Sequence, residues 1–132
     1  MQLLINLDVH DLATAEELYV RAFGLRRGRR LGDDVVELVG PQTVVYLLSR
    51  PEGSAGAGAQ PRSYARHWMP CHLDVVVEDL DAALLRVEAA GFLREGPVRE
   101  ERWGRIAQLA DPFGHGWCLL QFLNRGYDEL TR

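Results

Sequence analysis

A strand running directly into a helix occurs twice in this chain, and that repetition limits the possible folds more than any other feature. The later copy is Pro70-Cys71-His72-Leu73-Asp74-Val75-Val76-Val77-Glu78-Asp79-Leu80-Asp81-Ala82-Ala83. Cys71, Leu73, Val75 and Val77 alternate with His72, Asp74 and Val76, the period-2 pattern of a half-buried strand. Asp79 then stands as a helix N-cap before Leu80, Ala83, Leu84, Val87 and Ala90, which recur at helical spacing. The earlier copy is Leu3-Leu4-Ile5-Asn6-Leu7-Asp8-Val9-His10-Asp11-Leu12-Ala13-Thr14-Ala15, offset by 68 residues. Leu4 matches His72, Asn6 matches Asp74, and Asp11-Leu12 matches Asp79-Leu80.

Each copy continues in the same way. After residues 2–9, Asp11 caps a helix whose buried stripe is Leu12, Ala15, Leu18, Tyr19, Ala22 and Phe23, and Gly24 stops it. Leu25 to Leu31 carries Arg26, Arg27, Arg29 and Arg30 and reads as an exposed strand, either a solvated edge or an anion site. Val35–Val39 and Thr43–Leu48 read as strands joined by the Gly40-Pro41-Gln42 turn. Residues 50–66 are rich in Gly, Ala, Ser and Pro and read as a flexible connector between the copies. Tyr64 to Pro70, with its aromatic cluster, reads as a lid or as the anchor of that connector. Beyond the second helix, 97–102, 106–110 and 117–122 read as strands, the last two joined by the Asp111-Pro112-Phe113-Gly114 turn. Tyr19 and Trp117 fall to the helix-to-sheet core. The order is β-α-β-β-β, connector, β-α-β-β-β. This predicts an α+β domain over 1–132, with units 1–49 and 67–122, a linker 50–66 and a surface tail 123–132. Each unit exposes one face of a small sheet, and two units close those faces around a shared space in a cupped mixed sheet.

At 132 residues the chain can bury a core, and 47% hydrophobic with 26% charged residues fits a globular protein. The net charge is −4 and no basic tail is present, so no nucleic-acid partner is expected. Every basic residue is Arg, which excludes lysine Schiff-base chemistry. Cys71 and Cys118 do not form a CxxC pair and read as two buried free thiols of a cytoplasmic protein. No apolar run is long enough to span a membrane, and Met1 leads straight into the first strand, so neither a membrane partner nor a signal peptide is expected.

The doubled unit, its strand-Asp-Leu-x-x-Ala-helix openings and the closing Asp111-Pro112-Phe113-Gly114-His115-Gly116-Trp117 resemble the vicinal oxygen chelate superfamily. That group includes glyoxalase I, extradiol dioxygenases, and the fosfomycin and bleomycin resistance proteins. The resemblance covers roughly residues 2–122 and implies a homodimer. It also implies ligand positions for one divalent metal, which fall on Leu4, Tyr46 (uncertain by one residue), His72 and Cys118. Leu4 replaces a His or Gln, and Cys118 stands where Glu is usual. His72 alone keeps the pattern, so no metal site is expected and His72 is the one weak candidate. A His-Cys pair lacks a third ligand for zinc; Asp74 and Asp8 are nearby carboxylates outside the family positions.

Without a metal, the inward face offers Asn6, Asp8, Tyr46, His72, Asp74 and Cys118, with Trp103 and Arg105 reaching it from a neighbouring strand. Convergent polar groups on an apolar lining are the usual makeup of a small-molecule site. His72 with Asp74 or Asn6 has the types for a general base, and Cys118 beside His72 those for an activated thiolate; an inward His is equally a hydrogen-bonded core group. Asp8 and Asp74 need partners there, from Arg105, Tyr46, water or a ligand. The expectation is a protein binding a small amphipathic or aromatic molecule in the cup, without cofactor. The alternative is a glyoxalase-like lyase or isomerase with an altered metal site and His72 as base or ligand.

Overall fold

Both helices begin on an aspartate, as the repeat predicts. The computed structural model describes residues 1–132, and the chain divides into two units, Met1–Ala65 and Arg66–Arg132. In the first, α1 (Leu12–Phe23) opens where Asp11 Oδ1 accepts the Thr14 N–H at 2.9 Å. It closes at Gly24, whose φ of 67° lets its N–H reach the Val20 carbonyl. In the second, α2 (Leu80–Ala90) opens where Asp79 accepts the Ala82 N–H at 3.0 Å. Such caps satisfy one of the orphan donors at a helix start.

The first unit is a four-stranded sheet of β1 (Ile5–Val9), β2 (Arg26–Leu31), β3 (Val35–Val39) and β4 (Val44–Ser49). Its order is β1-β4-β3-β2, with β1 parallel to β4 and the rest antiparallel. Alternation sorts the side chains. Leu7, Val9, Val36, Leu38, Val45 and Leu47 are buried with Ala15, Leu18, Tyr19 and Ala22 of α1. Burying each of the larger ones contributes about 1.5–3 kcal/mol. Asn6, Asp8, Glu37 and Tyr46 therefore take the opposite, helix-free face.

The second unit repeats this plan with β5 (Leu73–Val76), β6 (Leu93–Arg94), β7 (Arg99–Glu101), β8 (Gly104–Ala110) and β9 (Gly116–Phe122). The order is β5-β9-β8-β6, and β7 also pairs with β8, so one strand of the expected pattern is split in two. Leu80, Ala83, Leu84 and Val87 of α2 are buried with Ala107, Leu109, Trp117 and Leu119. The first strand is shorter than the alternation implies. Its ladder to β9 starts at Leu73, because β9 itself begins just after the Asp111–Gly114 turn. Cys71 is consequently exposed rather than buried, and His72 sits one residue outside β5.

One further expectation is corrected. Residues 50–65 are not a loose tether but a folded clip on the first unit. Ala55 bridges Pro61, the Gly53 N–H reaches the Arg62 carbonyl, and the Tyr64 hydroxyl donates to the Arg50 carbonyl at 2.7 Å. Arg62 donates to Ser54, Ala55 and Asp8, which is why a Gly- and Ala-rich sequence still holds one shape. Of the aromatic group, Tyr64 is buried as an anchor and Trp68 is exposed. The Arg-rich strand is the exposed edge strand expected, and its arginines form ion pairs: Arg27 and Arg30 with Glu16, and Arg29 with Glu37.

The closing turn of the second unit is built around Asp111, whose side chain is fully buried. Its Oδ1 accepts the N–H groups of Phe113 and His115 at 2.9 and 3.0 Å. Its Oδ2 lies 2.8 Å from His115 Nδ1 and accepts the Trp117 indole N–H at 2.8 Å. Asp111→Ala strands these donors, so urea unfolding is expected to show a loss of about 3 kcal/mol or more. A loss below about 1 kcal/mol would mean that the turn does not depend on this carboxylate.

Candidate functional site

The helix-free faces carry the polar residues, and the two units use them differently. In the first unit Asn6 pairs with Tyr46 across β1 and β4, and Tyr46 with Glu37 across β4 and β3. Glu37 is buried and saturated. Its carboxylate meets the Arg29 guanidinium at 2.6 Å and 3.1 Å, the Arg29 backbone N–H at 3.3 Å and the Tyr46 hydroxyl at 3.1 Å. A register shift between Arg27 and Arg30 bends β2 around it. Gly28 sits in that bend because a Cβ there would come within 2.7 Å of a Glu37 carboxylate oxygen. Asp8 pairs with Arg62 at 2.7 Å, not with Arg105 or Tyr46.

The Arg29 hydrogen bonds hold the Glu37 carboxyl down at about 2, against an ordinary 4.5. A depressed carboxyl stabilises the fold fully above its unfolded value and loses that contribution as pH falls through the folded one. Glu37→Gln is therefore expected to flatten the fall in Tm between about pH 4.5 and 2; an unchanged acid profile would count against the network.

In the second unit the same cross-strand position brings Asp74 beside Cys118, and Cys118 beside Gln108. His72 precedes Asp74 by two residues and shares its face, with Nε2 3.3 Å from Asp74 Oδ1. One donor atom each of His72, Asp74 and Cys118 lies within 4.8 Å of the others. His72 and Asp74 are exposed, while Cys118 is buried with Ile106 and Leu120, and Trp103 packs against these three. The face thus grades from an apolar floor to a polar, open rim at His72, Asp74 and Gln108.

Arg105 is not part of it. Its β8 position alternates to the other face, where it pairs with Asp81 of α2 at 3.0 Å and approaches Gln121. Sequence reasoning missed Glu37, Arg29 and Arg62. A lone carboxylate inside Val-Val-Glu-Leu-Val was the available signal for Glu37, since alternation puts it on the face of Tyr46.

The residues do not fit the family's metal centre. Leu4 has no donor atom, the Tyr46 hydroxyl is engaged by Glu37, and a thiol replaces the carboxylate at Cys118. Nor is Cys118 an activated thiolate: burial, reinforced by the Asp74 charge, pushes its thiol up to about 11. In chelator-treated native protein at neutral pH, iodoacetamide is expected to label Cys71 and spare Cys118 until the chain is unfolded. Labelling of Cys118 at a rate matching Cys71, read by peptide mass mapping, would contradict this.

The family model of the glyoxalase-like domain matches residues 4–120. An uncharacterized protein of Mycobacterium bovis is 32% identical over 123 residues, covering 88% of this chain and 80% of its own length. Among solved structures, TioX from Micromonospora sp. ML1 superposes with a TM-score of 0.70 at 23% identity, covering 93% of this chain and 99% of TioX. The fosfomycin resistance protein FosX of Listeria monocytogenes does so with 0.69 at 17% identity, covering 92% of each.

Proposed function

This chain belongs to the glyoxalase-like domain family, and from that premise we propose that it binds a small amphipathic or aromatic molecule rather than running glyoxalase-type Lewis-acid chemistry. The observation that carries this reading is the graded face of the second unit. Ile106, Leu120 and Trp103 offer an apolar surface for a ring or chain, and the His72–Asp74 rim offers a donor and acceptors to orient it. The loss of donors at Leu4 and Tyr46 removes the ligand count that a hard cation needs. The His72–Asp74 contact also favours the second reading, a lyase or isomerase with His72 as base, since a carboxylate fixes an imidazole tautomer.

A thermal-shift screen of aromatic and amphipathic compounds tests the first reading. A ligand present at 100 times its Kd raises stability by about 2.7 kcal/mol, a readily measured shift. Asp74→Asn and Leu120→Ala are both expected to weaken the hit. Binding unchanged in both variants would place the ligand elsewhere. Turnover of a bound compound, lost in His72→Ala, would favour the enzyme. The homodimer that the resemblance implies and a cytoplasmic setting belong to the same reading. Light scattering that returns a monomer mass at micromolar concentration would reject the dimer. Neither helix is long and apolar enough to cross a membrane.

A further inference from the structure

We propose that His72, Asp74 and Cys118 form a three-donor site for zinc, contained in the second unit. This goes beyond the small-molecule reading and does not depend on it. The argument begins with strand geometry. Asp74 and Cys118 are directly opposed on the parallel pair β5 and β9, so their side chains leave the sheet on one face at neighbouring positions. His72 lies two residues before Asp74 and shares that face. The fold thereby places an imidazole, a carboxylate and a thiol with donor atoms within 4.8 Å of one another.

Zinc bonds of about 2.0–2.3 Å hold ligand atoms closer together than that, so the donors must draw in by roughly 1 Å. The site is able to do so on one side. Cys118 is fixed in the sheet, while the His72 side chain is 64% exposed and can turn inward. As the sulfur–zinc bond forms, the sulfur–hydrogen bond of Cys118 breaks and its proton passes to water.

The donor types choose the ion. A thiolate with an imidazole and one carboxylate suits zinc; magnesium and manganese prefer oxygen donors in larger number. Three protein ligands leave a fourth position open, the arrangement of a zinc that also takes water or a small molecule. That position falls on the exposed side, toward the His72 and Asp74 rim. The site shares the His72 and Cys118 positions with the family's centre, but it brings in Asp74 and needs nothing from Leu4 or Tyr46.

Equilibrium dialysis of the untagged full chain against zinc, with magnesium and manganese as controls, tests the proposal. Stoichiometric zinc is expected, with neither control ion retained. Asp74→Asn and Cys118→Ser are each expected to weaken zinc binding by about tenfold or more, as loss of a direct ligand should exceed loss of an outer hydrogen bond. Cobalt substituted for zinc is expected to show a thiolate charge-transfer band that Cys118→Ser abolishes and Cys71→Ser keeps. Asp74 is on the exposed rim, so its variant reads the site even if Cys118→Ser fails to fold. No retained zinc overturns the proposal. So does retention unchanged in Asp74→Asn, or a cobalt band that follows Cys71. Zinc binding is read without any organic ligand, so its failure leaves the small-molecule screen untouched, and the reverse holds.

Discussion

Each small sheet in this chain has one helix to cover it, and one helix covers one face. Everything chemical about the protein follows from that shortage. Strand alternation sends Leu7, Val9, Leu38 and Leu47 under α1, and Leu109, Trp117 and Leu119 to the face of α2. The residues between them are forced onto the other face whatever their polarity. A charged residue placed there cannot be moved to solvent by a small adjustment, because a one-residue slip would expose the whole apolar set. It has to find a partner across the strands, and the identity of that partner decides whether the face is closed or reactive.

The architecture was readable because it rests on local signals. Asp11 and Asp79 as caps, Gly24 as a stop, and the Asp111 to Gly114 turn each act within a few residues. Alternation also set the faces of β1, β4, β5 and β9 correctly, and the doubtful register of Tyr46 is resolved by pairing: Tyr46 opposes Asn6 as Cys118 opposes Asp74. What the sequence did not disclose was non-local or dependent on strand length. The Arg62 that meets Asp8 lies 54 positions away in a segment whose composition argues for disorder. Arg105 was misplaced because its neighbour Trp103 lies in the turn before β8, off the strand's alternation, so the two do not share a face. The exposure of Cys71 followed from where β9 begins, which no residue near Cys71 reveals.

The two units show how one frame carries different chemistry. Asn6, Tyr46 and Glu37 in the first correspond, strand for strand, to Asp74, Cys118 and Gln108 in the second. In the first unit the acid sits on β3, where the bulge of β2 wraps Arg29 around it and the Tyr46 hydroxyl completes the set. That network uses its own polar groups, and it contributes order rather than reactivity. In the second unit the acid has moved to β5, an edge strand, next to a thiol and within reach of an imidazole. Asp74 has His72, at 3.3 Å, and Cys118 as its neighbours.

That exchange explains why the residues do not fit the family's metal pattern while a different donor set is present. A centre drawing on the first unit would need a free donor at the position of Leu4 or Tyr46, and the Glu37 network has taken the second of these into the fold. Releasing the Tyr46 hydroxyl would cost the hydrogen bond that helps to keep a buried carboxylate charged. The second unit carries no comparable obligation. His72 lies outside the ladder and Asp74 is exposed at an edge, with the buried Cys118 beside it. The imidazole, the carboxylate and the thiol that no such network takes up lie within 4.8 Å of one another on one sheet, and that proximity is what distinguishes the second unit from the first.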